Sequence, residues 1–140
     1  MAARKRIIHP GGTRGTVFRQ VAQVRLDDAS ILLKQKRFAG AIYLAGYAAE
    51  CLLKWAVTRR LECVYLPADF EIHDLAALLR QAGLEPLLLD EAELRDVFWA
   101  LADTWGPELR YLAKSPASEK ANSLYQQIAR VYDWIVEQTV

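Results

Sequence analysis

The sequence predicts an all-α fold, an up-down four-helix bundle with one additional short helix. Three observations lead there. Residues 37–60, RFAGAIYLAGYAAECLLKWAVTRR, place Phe38, Ile42, Ala45, Ala49, Leu52 and Ala56 at spacings of four and three, which a helix gathers on one face. Near the C-terminus Ala117, Ala121, Leu124, Ile128, Val131 and Ile135 repeat that spacing. The segment from Lys36 to Phe38 is short, and a short connection makes consecutive helices antiparallel neighbours.

Taken in order, Pro10, Gly11 and Gly12 separate a flexible basic arm, residues 1–15, from a helical domain over residues 16–140. The first helix spans about Thr16 to Gln35, with Ala22, Leu26, Ala29 and Leu33 inward and Asp27, Ser30 and Lys34 toward water. The central helix follows, apolar enough to be surrounded by others. Its Gly40 and Gly46 let neighbouring backbones come close. Pro67 and Asp69 then interrupt the period, so residues 61–73 read as a loop packed by Tyr65, Leu66 and Phe70, with no partner strand for Val64 and Tyr65. Residues 72–82 read as the short helix, stopped by Gly83. Asp90 and Glu93 have capping-box spacing ahead of Leu94, Val97, Phe98 and Leu101, and Trp105-Gly106-Pro107 ends that helix. Ser115 as cap and Pro116 at the first position open the last helix.

Composition excludes several classes. A chain of 140 residues with 53% hydrophobic content suits one domain burying roughly two thirds of its unfolded surface. No apolar run reaches the roughly 20 residues that span a bilayer, and the N-terminus lacks the apolar segment of a secretory signal. Cys51 and Cys63 have neither the number nor the spacing of a zinc site, and the expected setting is a reducing cytoplasm. A net charge of +1 makes no general case for nucleic acid, yet Arg4, Lys5 and Arg6 concentrate positive charge in the arm, where they are candidate phosphate contacts. There is no Gly-rich phosphate loop, no HExxH and no inward Glu-x-x-His pair for a di-metal centre, so neither metal nor cofactor is expected.

The candidate functional residues lie in three places. Glu50 and Lys54 are one helical turn apart, in the order that favours an ion pair; their structural reading is a polar element on an apolar helix, their functional reading a carboxylate that orients Arg110. His73 suits a bond to Asp74 or the local backbone at the start of the short helix, or else a general base. The loop WGPELRY breaks the helical pattern while gathering Trp105, Glu108, Arg110 and Tyr111. A guanidinium fork suits a phosphate or a carboxylate such as Glu50 or Glu108, and a tyrosine ring suits a base or a helix junction.

Three segments together resemble the HEPN family (higher eukaryotes and prokaryotes nucleotide-binding): RLDDASILLKQKRFAGAIYLAGYAAECLLKWAV from Arg25 to Val57, IHDLAALL from Ile72 to Leu79, and WGPELRYL with the last helix. The most telling part is AGYAAECLLKW, whose Glu50 and Lys54 match the family's paired positions. The resemblance implies a helical homodimer and a prokaryotic role in toxin-antitoxin modules, phage defence or RNA processing, often beside a small nucleotidyltransferase. Active members are metal-independent ribonucleases with an Arg-x4-6-His motif near the start of the last helix. Arg110 aligns with the motif arginine, but Ser115, Pro116 and Ala117 follow and no histidine comes after Arg110. The expectation is therefore a non-catalytic, dimeric, HEPN-like module binding a nucleotidyltransferase or other protein partner, or a nucleotide or RNA phosphate, through Arg110 and Tyr111. The alternatives are a divergent endoribonuclease using Arg110 with His73 or Tyr111, and a purely structural dimerisation domain.

Overall fold

The computed structural model describes residues 12–111 and 115–139, with the side chain of Arg110 outside that description. Arg4, Lys5 and Arg6 also fall outside it. Among the described residues six α-helices follow one another: α1 (Gly15–Lys34), α2 (Phe38–Arg60), α3 (Leu75–Gln81), α4 (Glu85–Leu89), α5 (Ala92–Thr104) and α6 (Ser118–Gln138). Two 3-10 turns, Ala68–Phe70 and Pro107–Tyr111, punctuate the connections. The fold is all-helical, and none of these helices is long and apolar enough to cross a membrane.

The four long helices are the expected ones, and α2 is at their centre. Its most extensive packing is with α1 and then α6. Burial explains that position: Ala41, Ala45, Ala48, Ala49, Leu52, Leu53, Ala56 and Val57 are all essentially inaccessible to solvent, so α2 is covered nearly all round. The partner helices contribute narrower stripes, Ala22 and Ala29 from α1 and Ala121, Ile128, Val131 and Ile135 from α6. Small residues where α1 meets α2 let the two backbones approach, while Phe98, Leu75, Leu78 and Leu79 fill the space on the other side.

Three of the helix ends share one device. After α1, Lys36 N–H donates to Leu33 O and Arg37 N–H to Leu32 O; after α2, Glu62 donates to Arg59 O and Cys63 to Thr58 O. After α3, Gly83 donates to Arg80 O and Leu84 to Leu79 O. Each is a Schellman cap that satisfies two terminal carbonyls by turning one residue left-handed. Those residues are Lys36 at φ 61°, Glu62 at φ 53° and Gly83 at φ 74°, so only the last uses glycine.

Four local expectations are corrected. Asp90 does not open α5: it closes the five-residue α4, which carries Pro86 in its first turn and is anchored by buried Leu88, and Glu91 takes the cap position of α5 without a side-chain bond. Five residues are too few for a period to reveal. Ser115 and Pro116 do not open α6, which begins at Ser118 with extended Ala117 as its cap; Pro116 instead lines an apolar cavity. Tyr65 does have a strand-like partner, because Arg14 forms an isolated antiparallel bridge with it and Leu66 N–H donates to Thr13 O. Finally, what approaches Gly46 is an indole ring rather than a helix backbone.

Candidate functional site

The site is built on one face of α2. Tyr43, Gly46, Tyr47, Glu50 and Lys54 recur at three- and four-residue spacing and so stand on successive turns. A line of this kind on a central helix must be covered or compensated, and each member is.

Glu50 is the compensated one. Its carboxylate, 1% exposed, receives Lys54 Nζ on Oε2 at 3.0 Å and faces His73 Nδ1 from Oε1 at 3.0 Å. A buried carboxylate without partners would carry a heavy desolvation cost, and here both oxygens are engaged. Lys54 is itself buried, with its ammonium 5.6 Å from the Phe18 ring centroid on α1, so a cation-π contact replaces part of its lost water. His73 is the exposed member, with 58% of its side chain open to solvent. Its expected bond to Asp74 or the local backbone is corrected: Asp74 caps α3 by accepting from Ala77 N–H, and His73 turns to Glu50.

Gly46 and Tyr43 are the covered ones. Trp105, at the start of the WGPELRY loop, lays its indole on Gly46 so closely that a Cβ there would run into the ring. Its Nε1 donates to Tyr43 O at 3.2 Å, and its ring stacks on Tyr43, which stacks on Tyr47 in turn. The indole thus fixes the entry to the Pro107–Tyr111 turn. Within that turn the Glu108 carboxylate folds back over Gly106, Leu109 faces the interior and the Tyr111 ring is 76% exposed.

Gly46 and Glu50 are four residues apart on the same face, which separates them by about 6 Å along the axis. Trp105 and His73, brought in by different loops, therefore meet α2 on adjacent turns. The structure gathers Glu50, Lys54 and His73 into one cluster and seats Trp105, from which the Pro107–Tyr111 turn departs, one helical turn away at Gly46. Sequence reasoning missed Gly46 as a seat for an aromatic ring and Phe18 as cover for Lys54. The available signal was a glycine within a line of large side chains, which marks a close approach.

Proton affinities follow the burial. Desolvation pushes the Tyr47 hydroxyl up to about 12, with the Cys51 thiol and the Glu50 charge adding to the effect. Desolvation likewise pushes the Cys51 thiol up to about 11, against the bond to Tyr47 and the nearby Lys54 charge, which lower it. Neither group is set up as a nucleophile near neutral pH. Among the described residues no group of three or more His, Cys, Asp or Glu side chains is arranged to hold a metal.

A separate cavity of about 420 Å³ lies between the start of α2, α5 and α6, walled by apolar groups such as Ile42, Val97, Leu101, Leu109 and Leu124. Trp105 forms part of that wall, but Glu50, Lys54, His73 and Tyr111 do not. The cavity shares Trp105 with the aromatic line on α2 but none of the polar cluster.

The family model described as HEPN domain matches residues 17–139. No curated protein and no solved structure gave a significant match.

Proposed function

The chain belongs to the HEPN domain family, and from that premise we propose that it is a dimeric, cytoplasmic module that holds a nucleotide or RNA phosphate, or a protein partner, at the turn bearing Arg110 and Tyr111. Family membership supports a nucleotide- or RNA-related role. The observation that carries the assignment to this surface is Trp105 on Gly46: it anchors the turn to the rigid central helix beside a polar cluster, the kind of support a recognition loop needs. Arg110 supplies a planar fork for phosphate oxygens, and Tyr111 presents an exposed ring to a base. Cleavage by the family's own motif lacks its histidine, since none follows Arg110. A nucleotidyltransferase from a prokaryotic toxin-antitoxin or defence system is the protein partner this reading favours, with Arg4, Lys5 and Arg6 adding phosphate or partner contacts.

Binding of a fluorescently labelled single-stranded RNA, with and without Arg110→Ala, tests the assignment. Retention by the wild type and loss in the variant, with intact RNA on a denaturing gel, is the expected result. Light scattering at tens of micromolar should give twice the chain mass; a monomer removes the dimer.

The Glu50–His73 contact favours a second reading, a divergent metal-independent endoribonuclease. RNA cleaved by a metal-free sample, with activity lost in both Arg110→Ala and His73→Ala, would put that reading first.

A further inference from the structure

The apolar cavity between the start of α2, α5 and α6 has a deep end and an open one. Leu101, Trp105 and Ile128 are buried and line the first, whereas Ala100, Thr104 and Lys120 stand exposed at the second. The α6 wall runs through Lys120, Leu124 and Ile128, spaced one helical turn apart, and exposure falls in that order. At about 420 Å³ the space lies within the ordinary size of small-molecule sites, roughly 300–1,000 Å³.

The walls bond poorly to water. Thr104 Oγ1 donates to Ala100 O and Trp105 Nε1 donates to Tyr43 O, so both hydrogens are already committed. A water needs several polar partners to stay in a cavity, and an alkyl chain needs none, so such walls favour the chain. Charge sets the preference at the open end. Among the described residues Lys120 is the one charged side chain on the wall, and it makes no ion pair with them. Ala117 caps α6 without a side-chain bond, so the N–H groups of the first turn, which holds Lys120, add partial positive charge there. Glu119, in the same turn, does not line the cavity.

We propose that this cavity binds an amphiphilic carboxylate of medium chain length, with the alkyl chain running inward along Leu124 to Ile128 and the carboxylate beside Lys120. Eight residues of helix separate Lys120 from Ile128, about 12 Å along the axis, which an extended chain of about ten carbons spans. The site uses neither Arg110 nor Tyr111, so its fate is separate from that of the phosphate-binding turn.

Titration calorimetry of the full chain with decanoate, decanol and decylammonium tests this at about pH 7.5, where an ordinary carboxylate is ionised and an ordinary amine protonated. One decanoate should bind per chain, roughly threefold tighter than decanol, the worth of one exposed ion pair, with decylammonium weakest. Octanoate should bind roughly tenfold more weakly than decanoate, because two methylenes no longer leave water. Lys120→Glu should abolish the preference for decanoate and leave decanol binding unchanged. Ala100→Phe and Leu124→Trp, each confirmed as folded by circular dichroism, should remove binding of all three by filling the space. Binding that ignores the head group, or a decanoate preference that survives Lys120→Glu, overturns the carboxylate assignment. Decanoate binding untouched by both filling variants overturns the location. No heat with any probe overturns the ligand site altogether, the result expected if the cavity instead takes an apolar side chain of a protein partner.

Discussion

His73 Nδ1 and Glu50 Oε1 stand 3.0 Å apart, joining a residue at the head of α3 to the one carboxylate of the central helix, which is buried. The two members do not contribute equally. His73 is open to water, so its loss should cost less than about 1 kcal/mol. Glu50→Ala instead leaves the Lys54 ammonium buried without its counter-charge, and urea unfolding should show a loss of about 3 kcal/mol. Replacing both, Glu50→Leu with Lys54→Met, should recover most of that loss, because the destabilisation comes from the unpaired charge.

Gly46→Ala tests the seat of Trp105. The added methyl meets the indole, which must move and give up its bond to Tyr43 O. A loss of about 1–3 kcal/mol is expected from such overpacking. The Trp105 indole N–H resonance should shift and, on the proposed function, binding of the labelled RNA at the neighbouring turn should weaken with it.

The left-handed caps give predictions of opposite sign. Lys36 and Glu62 hold positive φ values that favour glycine, so Lys36→Gly or Glu62→Gly should raise stability by about 0.5–1 kcal/mol. Gly83→Ala should lower it by about 1–2 kcal/mol, with the Arg60 side chain also in the way of the new methyl. Thermal unfolding of the three variants against the wild type measures both signs.

Stability should fall in alkali through Cys51 and Tyr47. The folded protein holds the Cys51 proton up to about 11 against an ordinary 9.0, and the Tyr47 proton up to about 12 against 10.0. Between those limits the unfolded chain releases protons that the folded chain keeps, so unfolding gains as pH rises. The contribution is complete below about 9 and disappears as pH climbs through the folded values. Denaturation midpoints measured from pH 8 upward should decline, and Cys51→Ala should flatten part of the decline.

The residues of the site differ in how far the sequence exposed them. Glu50 and Lys54 were legible as a pair because four residues make one helical turn, and helix geometry alone brings them together. The core stripes of α1, α2 and α6 were legible for the same reason. Asp90 and Ser115 misled because a capping residue is recognised by its type, whereas its use depends on where the chain can turn. The five-residue α4 between Gly83 and Asp90 left no period to detect.

From sequence alone came what a repeating local geometry can encode: the all-helical class, the buried centrality of α2, the ion pair along its face and the absence of a histidine after Arg110. Tertiary structure decided what loops deliver from a distance. It brought His73 to Glu50 across 23 residues and Trp105 to Tyr43 across 62. It also set Arg19 between the Trp55 and Tyr132 rings, with its bond to Tyr132 spanning 113 residues. No period of 3.6 reports such contacts, because they depend on the path of the chain between helices and on which side chains fill the space that path leaves.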